Sequence, residues 1–162
     1  MDLEKHLQRA EGYLELDMFD DALAELKNLT TEELQTSRVR EIHAQIYMKK
    51  KDWMRAWEFW NLLTLQEKNN ASCYLNAAYC LHELKRTAEA RETLLDGPPS
   101  LRKMALFHYN MACYEAQLGH LQAAWEFLQK AFEMDEKFRR VALGDADLAP
   151  LRARFMPRED PP

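Results

Sequence analysis

The fold can be recognised from one segment, Ala112-Cys-Tyr-Glu-Ala-Gln-Leu-Gly119-His-Leu-Gln-Ala-Ala124-Trp-Glu-Phe-Leu128-Gln-Lys-Ala131. It predicts two amphipathic helices that meet at a one-turn corner, with small residues where the helices touch. The same layout recurs three times upstream at one fixed interval. Two series of alanines recur with this period and are called the alanine ladders below. They are Ala10, Ala44, Ala78 and Ala112, and Ala22, Ala56, Ala90 and Ala124. A fixed period of this length indicates a stacked helix-turn-helix array.

Composition and charge agree with an all-α protein and narrow the classes of partner. Of the 162 residues, 47% are hydrophobic. The chain has only 4 Gly and 6 Pro, and such a low content disfavours a turn-rich β fold. The net charge of -5 argues against a nucleic-acid binder, because phosphate binding needs a surplus of cations. The chain has no apolar run long enough for a transmembrane helix, so no membrane partner is expected.

The N-terminus and the cysteines predict a cytoplasmic location. The first residues, Met-Asp-Leu-Glu-Lys, are acidic and amphipathic, unlike a signal peptide. Three cysteines are an odd number, and they stand inside predicted helices rather than in a secreted disulfide framework. A reducing cytoplasm suits both features.

The ladders divide the chain into four predicted repeats within a single domain, residues 1–156. The repeats span 3–36, 37–70, 71–104 and 105–138. Because the last repeat of a stacked array exposes an apolar face unless something covers it, residues 139–155 are predicted to form a cap. An apolar stripe leads into this cap through Phe138, Val141 and Leu143. The polar, proline-rich residues 157–162 are predicted to be disordered.

Several residue types mark the expected ends of helices. Thr30 and Glu33 fit a capping box that starts the turn into the second repeat. Good N-cap residues stand at Asp52, Asn70, Ser100, and Asp145 or Asp147. Gly97 is expected to stop the second helix of repeat three in a left-handed conformation.

These positions resemble the tetratricopeptide repeat (TPR) family, which implies a right-handed superhelical solenoid. The family pattern has small residues where the ladders place alanine, and a bulky residue four positions after the second alanine. That bulky position holds Leu26, Trp60, Leu94 and Leu128. The segment Leu143-Gly-Asp-Ala-Asp-Leu-Ala-Pro-Leu-Arg152 also looks like one that often follows the last repeat in bacterial members.

Several family positions depart from the pattern. The proline that usually closes each repeat is replaced by Leu34, Lys68, Arg102 and Glu136. The aromatic residue of the first helix is present as Tyr13 and Tyr47, but Leu81 and Glu115 stand there in repeats three and four. The corner glycine occurs only as Gly119, and the other corners hold Asp17, Lys51 and Lys85.

The resemblance implies a concave groove, lined by the first helix of each repeat, in which members bind a peptide. Carried onto this sequence, the lining is Glu4, Leu7, Gln8, Glu11, Arg38, Glu41, Ile42, Gln45, Leu75, Asn76, Tyr79, Leu106, Tyr109, Asn110 and Cys113. Asn76 and Asn110 are separated by one full period, so they are expected to stack in adjacent repeats. An Asn amide offers a donor and an acceptor to a peptide backbone, and Tyr79 and Tyr109 offer apolar contact with a polar tip. The alternative is that these are solvated residues with local hydrogen bonds.

A second candidate surface lies on the helix that begins at Trp53. Met54, Phe59 and Leu62 fall on its outward side and predict an apolar convex patch, which often marks an interface. Homo-oligomerisation or a second partner is the functional interpretation, although single exposed apolar residues are ordinary.

No catalytic residue, metal or cofactor is predicted, and the chain is expected not to be an enzyme. Cys80 and His82 are close in sequence, but a closed zinc site needs four convergent ligands. Cys73, Cys80 and Cys113 are better interpreted as small hydrophobic residues, with Cys113 the one that a groove would expose. No glycine loop suited to phosphate is present.

The sequence therefore predicts a protein–protein interaction scaffold or adaptor, which binds a peptide segment near Asn76 and Asn110. Two alternatives stay open: a dedicated chaperone of a secreted or assembling protein, and a structural protein that self-assembles through the convex patch. The carboxylate clamp by which some family members hold heat-shock chaperones is not expected. Of the residues that this clamp requires, the sequence has Asn76 and, as an approximate match, Arg38. A carboxylate would therefore lack its charge-assisted partners.

Overall fold

The α-helices come in consecutive pairs that repeat with the period of the alanine ladders in the computed structural model, which describes residues 2–157. The pairs are α1 (Leu3–Glu15) with α2 (Phe19–Leu26), α3 (Ser37–Lys49) with α4 (Trp53–Gln66), α5 (Ala71–Glu83) with α6 (Thr87–Leu95), and α7 (Ala105–Gln117) with α8 (Leu121–Met134). A ninth helix, α9 (Lys137–Gly144), follows them. Short 3-10 helices span Glu33–Gln35, Pro99–Lys103 and Ala146–Arg154. Within residues 2–157 there is no β-strand, and no helix is both long and apolar enough to cross a membrane.

The two alanine ladders lie at the centre of the packing. All eight alanines have 0% of their surface exposed. A methyl side chain lets two helices approach closely, while bulky neighbours fill the adjacent grooves. The bulky position beside the second ladder is buried in every repeat as well, at Leu26, Trp60, Leu94 and Leu128.

Every corner between paired helices uses the same left-handed residue, whether or not it is glycine. The φ angle is 56° at Asp17, 58° at Lys51, 64° at Lys85 and 83° at Gly119. The backbone N–H of the next residue donates back to a carbonyl five positions earlier, for example from Asp52 to Tyr47 at 2.9 Å. This closes a Schellman-type turn, in which glycine is favoured because it has no Cβ.

Three predicted helix caps are confirmed. The Thr30 backbone N–H donates to Glu33 Oε2 at 2.7 Å, and the Glu33 backbone N–H donates to Thr30 Oγ1 at 3.3 Å, which completes the capping box. Asp52 Oδ1 accepts from the Arg55 N–H, and Asn70 Oδ1 accepts from the Ser72 N–H.

The prediction for the connection before repeat four is wrong in two respects. Ser100 lies inside a 3-10 helix instead of capping α7, which begins at Ala105 without a side-chain cap. Gly97 is not left-handed, since among glycines in residues 2–157 only Gly119 has a positive φ. Glycine leaves space at this position, because a Cβ on Gly97 would overlap Leu101 Cδ1 and the buried Leu101 side chain would have to shift.

Glu115 departs from the family's aromatic position because it forms a buried ion-pair network. Its side chain is only 3% exposed. Arg91 Nε of α6 donates to one carboxylate oxygen at 2.5 Å, and His120 Nδ1 lies 2.6 Å from the other. The ion pair between Arg91 and Glu115 thus joins repeats three and four, at the position where repeats one and two have Tyr13 and Tyr47.

The predicted C-terminal cap consists of two elements, α9 and the 3-10 helix Ala146–Arg154. Asp145 provides the N-cap of the second element, accepting from the Asp147 backbone N–H at 3.0 Å. Its buried residues are Leu148 and Leu151, followed by Phe155, whose ring lies against Trp125 and Phe132 of α8. Val141 does not continue the apolar stripe inward, since it is 52% exposed. Apart from Pro157, the predicted disordered tail falls outside the described residues.

Candidate binding groove

The predicted groove residues fall into an exposed and a buried group. Tyr79 is 40% exposed and Arg38 is exposed, whereas Asn76 and Asn110 are half-buried. The buried group is Ile42, Leu75, Tyr109 and Cys113, each 6% exposed or less. Ile42 and Leu75 belong to the hydrophobic core, so they support the groove from beneath rather than line it.

Tyr109 and Cys113 are buried because residues 145–155 of the same chain cover them. These residues are called the C-terminal segment below. The Tyr109 hydroxyl donates to Asp145 Oδ2 at 2.6 Å, and Cys113 Sγ lies 3.7 Å from the same oxygen. The expectation that Cys113 is open to the groove is therefore corrected. Asp145 reaches it from 32 residues further along the chain.

A second residue of the segment, Asp147, contacts both repeat three and repeat four. Asp147 Oδ2 lies 2.7 Å from His82 Nε2 of α5. The backbone carbonyl of Asp147 accepts from Gln117 Nε2 of α7 at 3.2 Å. The start of the 3-10 helix thus lies over the repeat-four end of the predicted groove. The segment leaves the part over α1, α3, α5 and the beginning of α7 uncovered, which is called the open part of the groove below.

Sequence reasoning missed the roles of His82, Gln117 and both aspartates in this contact. The aspartates were predicted only as helix caps, and nothing in their local pattern indicates that they reach back to α5 and α7. The spacing Asp145-x-Asp147 before buried Leu148 and Leu151 is the one signal that could have found the segment.

The same contact brings potential metal ligands together. Ligand atoms of Cys113, Asp145 and Asp147 all lie within 4.8 Å of one another. Burial, with the two carboxylates nearby, raises the pKa of the Cys113 thiol, so the group is protonated and a poor ligand. Asp145 and Asp147 each already hold a hydrogen bond to α7 or α5. These residues fit a docking contact between segments better than a metal site.

The open part of the groove carries polar and acidic side chains. Arg38 of α3 donates to Glu4 Oε2 at 2.9 Å and to Glu11 Oε1 at 3.3 Å, so it links the first two repeats. Gln45 Nε2 donates to Glu41 Oε1 at 3.2 Å along the same helix. Exposed contacts of this kind contribute little to stability, and they leave the side chains available to a ligand.

The apolar part of the open groove lies over α5 and α7. Tyr79 and Leu106 are about equally exposed, at 40% and 41%. The Tyr79 ring packs edge-on against Trp53 with centroids 5.7 Å apart, which fixes its position. Partial burial and the nearby Glu83 carboxylate raise the pKa of Tyr79, so its hydroxyl remains a hydrogen-bond donor at neutral pH.

The predicted convex patch is only partly present. Met54 and Leu62 are 43% and 42% exposed, as expected. Phe59 instead turns inward and stacks on His43, with centroids 4.7 Å apart and an interplanar angle of 10°. Leu65, which the sequence analysis did not select, is 64% exposed on the same helix. Met54, Leu62 and Leu65 together are called the α4 patch below.

Comparison with known proteins identifies the architecture through structure alone. No family model and no curated protein matches the sequence. MamA MSR-1 superposes with a TM-score of 0.74 at 18% identity, over 85% of this chain and 79% of that one. PilF of Pseudomonas aeruginosa gives 0.73 at 20% identity, over 94% and 68% of the two chains. MamA AMB-1 gives 0.72 at 18% identity, over 98% and 80%. MamA and PilF are TPR proteins, so the chain has the fold of an all-α, TPR-like solenoid.

Proposed function

We propose that this protein is an interaction scaffold or adaptor that binds an extended segment of a partner protein in the open part of the groove. The observation that carries the proposal is the pair Asn76 and Asn110. Both amides occupy the same place in successive repeats, and both are half-buried beside exposed Tyr79 and Leu106. No hydrogen bond within residues 2–157 uses either side-chain amide, so both retain their donors and acceptor for a peptide backbone.

The form of the ligand follows from the shape of the open groove. The C-terminal segment closes the groove at Tyr109 and Cys113, so a partner segment lies over α3, α5 and the start of α7. Amides one repeat apart suit a chain that runs across the helices, because each contacts a different backbone unit of an extended ligand. The TPR-like fold shared with MamA and PilF is consistent with this mode of use.

The test is a tagged pull-down from native lysate, which compares the wild type with Asn76→Ala/Asn110→Ala. We expect one partner to be enriched by the wild type and lost from the double variant. The matched control is Asn61→Ala/Asn69→Ala, which removes two exposed amides outside the groove. A partner that survives the groove substitutions would overturn the proposal.

Self-association through the α4 patch is the second candidate function. Its support is the exposure of Met54, Leu62 and Leu65 on one helix, at 43%, 42% and 64%. Light scattering over a range of concentrations tests it, with Leu62→Lys/Leu65→Lys as the variant. A mass that stays monomeric at every concentration for the wild type removes this candidate.

A further inference from the structure

The charges along the open groove define the chemistry of the partner segment. Helical spacing places Arg38, Glu41 and Gln45 on one stripe of α3, and Arg38 bonds to both Glu4 and Glu11 of α1. These contacts put the side chains of the first two repeats on one shared surface. The exposed or half-exposed charged groups on it include the carboxylates of Glu4, Glu11 and Glu41. Its cations are Arg38 and, one turn after Gln45, Lys49.

Both cations on this surface are already paired. Lys49 Nζ donates to the Leu14 carbonyl at 3.1 Å and lies 3.2 Å from Asp17 Oδ1. Arg38 Nη1 lies 2.9 Å from Glu4 Oε2, and Arg38 Nη2 lies 3.3 Å from Glu11 Oε1. The three groups together carry one net negative charge. Within residues 2–157, the one hydrogen-bond partner of the Glu41 side chain is the neutral amide of Gln45, so no ion pair compensates its charge there.

The acidic character continues towards the closed end of the groove. Glu83 follows Tyr79 by one helical turn on α5 and is near enough to raise the pKa of the tyrosine. Asp145 and Asp147 stand beyond it, bound to Tyr109 and His82. A ligand that enters the groove therefore meets the carboxylates of Glu41 and Glu83 along its path, whereas those of Asp145 and Asp147 are already bonded within the protein.

We infer that the partner segment is basic, with Lys or Arg side chains over Glu41 and Glu83 and an apolar side chain over Tyr79 and Leu106. This inference rests on the proposed function, because it assigns the ligand chemistry of the same groove. Complementary charge speeds association and rejects acidic segments, and the apolar contact fixes the register of the ligand. An acidic segment would be repelled by these carboxylates, and it would find Arg38 and Lys49 already paired.

The experiment is a selection of short random peptides displayed on phage against the wild-type protein. The selected peptides are then synthesised, and their affinities are measured by fluorescence anisotropy. We expect peptides enriched in Lys and Arg around one apolar residue. The variant Glu41→Lys/Glu83→Lys should weaken their binding on the order of tenfold, since each exposed charge pair contributes modestly and reversal replaces attraction by repulsion. Added salt should weaken wild-type binding by screening these charges.

Two controls separate failure of this inference from failure of the proposed function. Glu58→Lys/Glu126→Lys reverses two exposed carboxylates on the second helices and should leave affinity unchanged. Asn76→Ala/Asn110→Ala reports whether a peptide occupies the groove at all. Peptides that depend on the asparagines but are neutral, acidic or insensitive to Glu41→Lys/Glu83→Lys would overturn the basic ligand and leave the groove intact. Peptides that ignore the asparagines would overturn both.

Discussion

The hydroxyl of Tyr109 donates a 2.6 Å hydrogen bond to Asp145, a residue 36 positions further along the chain. Tyr109 also stacks on Phe138 with ring centroids 4.9 Å apart, so one side chain contacts both C-terminal elements. Burial and the bond to Asp145 raise the pKa of this phenol, which keeps it a donor. Through this contact the segment that covers the end of the array also closes one end of the groove.

Replacing Asp145 should release the C-terminal segment. Asp145→Ala removes the bond to Tyr109 and the N-cap of the 3-10 helix, so we expect a loss of about 1–3 kcal/mol in the free energy of unfolding. Tyr109→Phe keeps the ring stacking and the cap, so it should cost less. Urea unfolding measures both, and faster hydrogen exchange over 146–154 would locate the change. Asp96→Ala, at an exposed aspartate, is the control; equal stability of the two aspartate variants would contradict the prediction.

The stability of the fold should depend on Arg91, because its guanidinium compensates the buried charge of Glu115. Arg91→Met leaves Glu115 with only His120 as partner in a nearly closed site, and we expect a loss of about 3 kcal/mol. The double variant Arg91→Met/Glu115→Leu replaces the pair with apolar side chains and should recover most of that stability. Thermal unfolding measures the stabilities of the single and double variants. A double variant no more stable than Arg91→Met would show that the penalty is not the unpaired carboxylate.

Replacing the corner lysines Lys51 and Lys85 with glycine should stabilise the folded protein. Lys51 and Lys85 adopt φ angles of 58° and 64°, which are costly for a residue with a Cβ. Lys51→Gly and Lys85→Gly should each raise the free energy of unfolding by roughly 0.5–1 kcal/mol. Gly119→Ala should lower it, although a Cβ there meets nothing within 4 Å, because its φ is 83°. Lys50→Gly, at a φ of -69°, is the matched control and should not stabilise the protein.

The alanine ladders should not tolerate larger side chains. Ala112 and Ala124 are fully buried where α7 and α8 pack together. Ala112→Leu should cost about 1–3 kcal/mol through overpacking. Ala24→Leu, at an exposed position of α2, should change the melting temperature little. An unchanged melting temperature for Ala112→Leu would mean that the helices do not approach there as closely as described.

The three thiols should be unreactive while the protein is folded. Burial raises the pKa of Cys73 to about 11 and that of Cys80 to about 12, and it raises the pKa of Cys113 strongly. Because the thiolate is the nucleophile, Ellman's reagent at about pH 8 should label the native protein far more slowly than the protein in denaturant. Ser72→Cys places a thiol at an exposed position and should react at once. Rapid labelling of the native wild type would contradict the burial of these cysteines.

The period of the alanine ladders predicted most of what the structure contains. It placed the eight buried alanines, and it identified the four corner positions, although it could not tell that three non-glycine residues adopt the left-handed conformation there. The caps at Thr30, Asp52 and Asn70 also followed from residue type alone. Such features depend on contacts within a repeat or with the next one, and these contacts recur with the sequence period.

The candidate site was predicted less completely, since accessibility depends on segments far apart in sequence. Asn76 and Tyr79 are at least partly exposed, as their helical positions predict, but Tyr109 and Cys113 are covered by residues more than 30 positions away in the sequence. Phe59 was placed outward by a helical wheel, whereas the ring of His43 on the neighbouring helix draws it inward.

The repeating architecture follows from local sequence, because the period sets the helices, the corners and the small residues on which they pack. The contacts of Asp145 and Asp147 with Tyr109 and His82, and of Glu115 with Arg91, arise only when the helices stack. A buried polar group must find a partner wherever stacking brings one within reach. Helical periodicity describes which face a residue occupies, but not which distant residue meets it there.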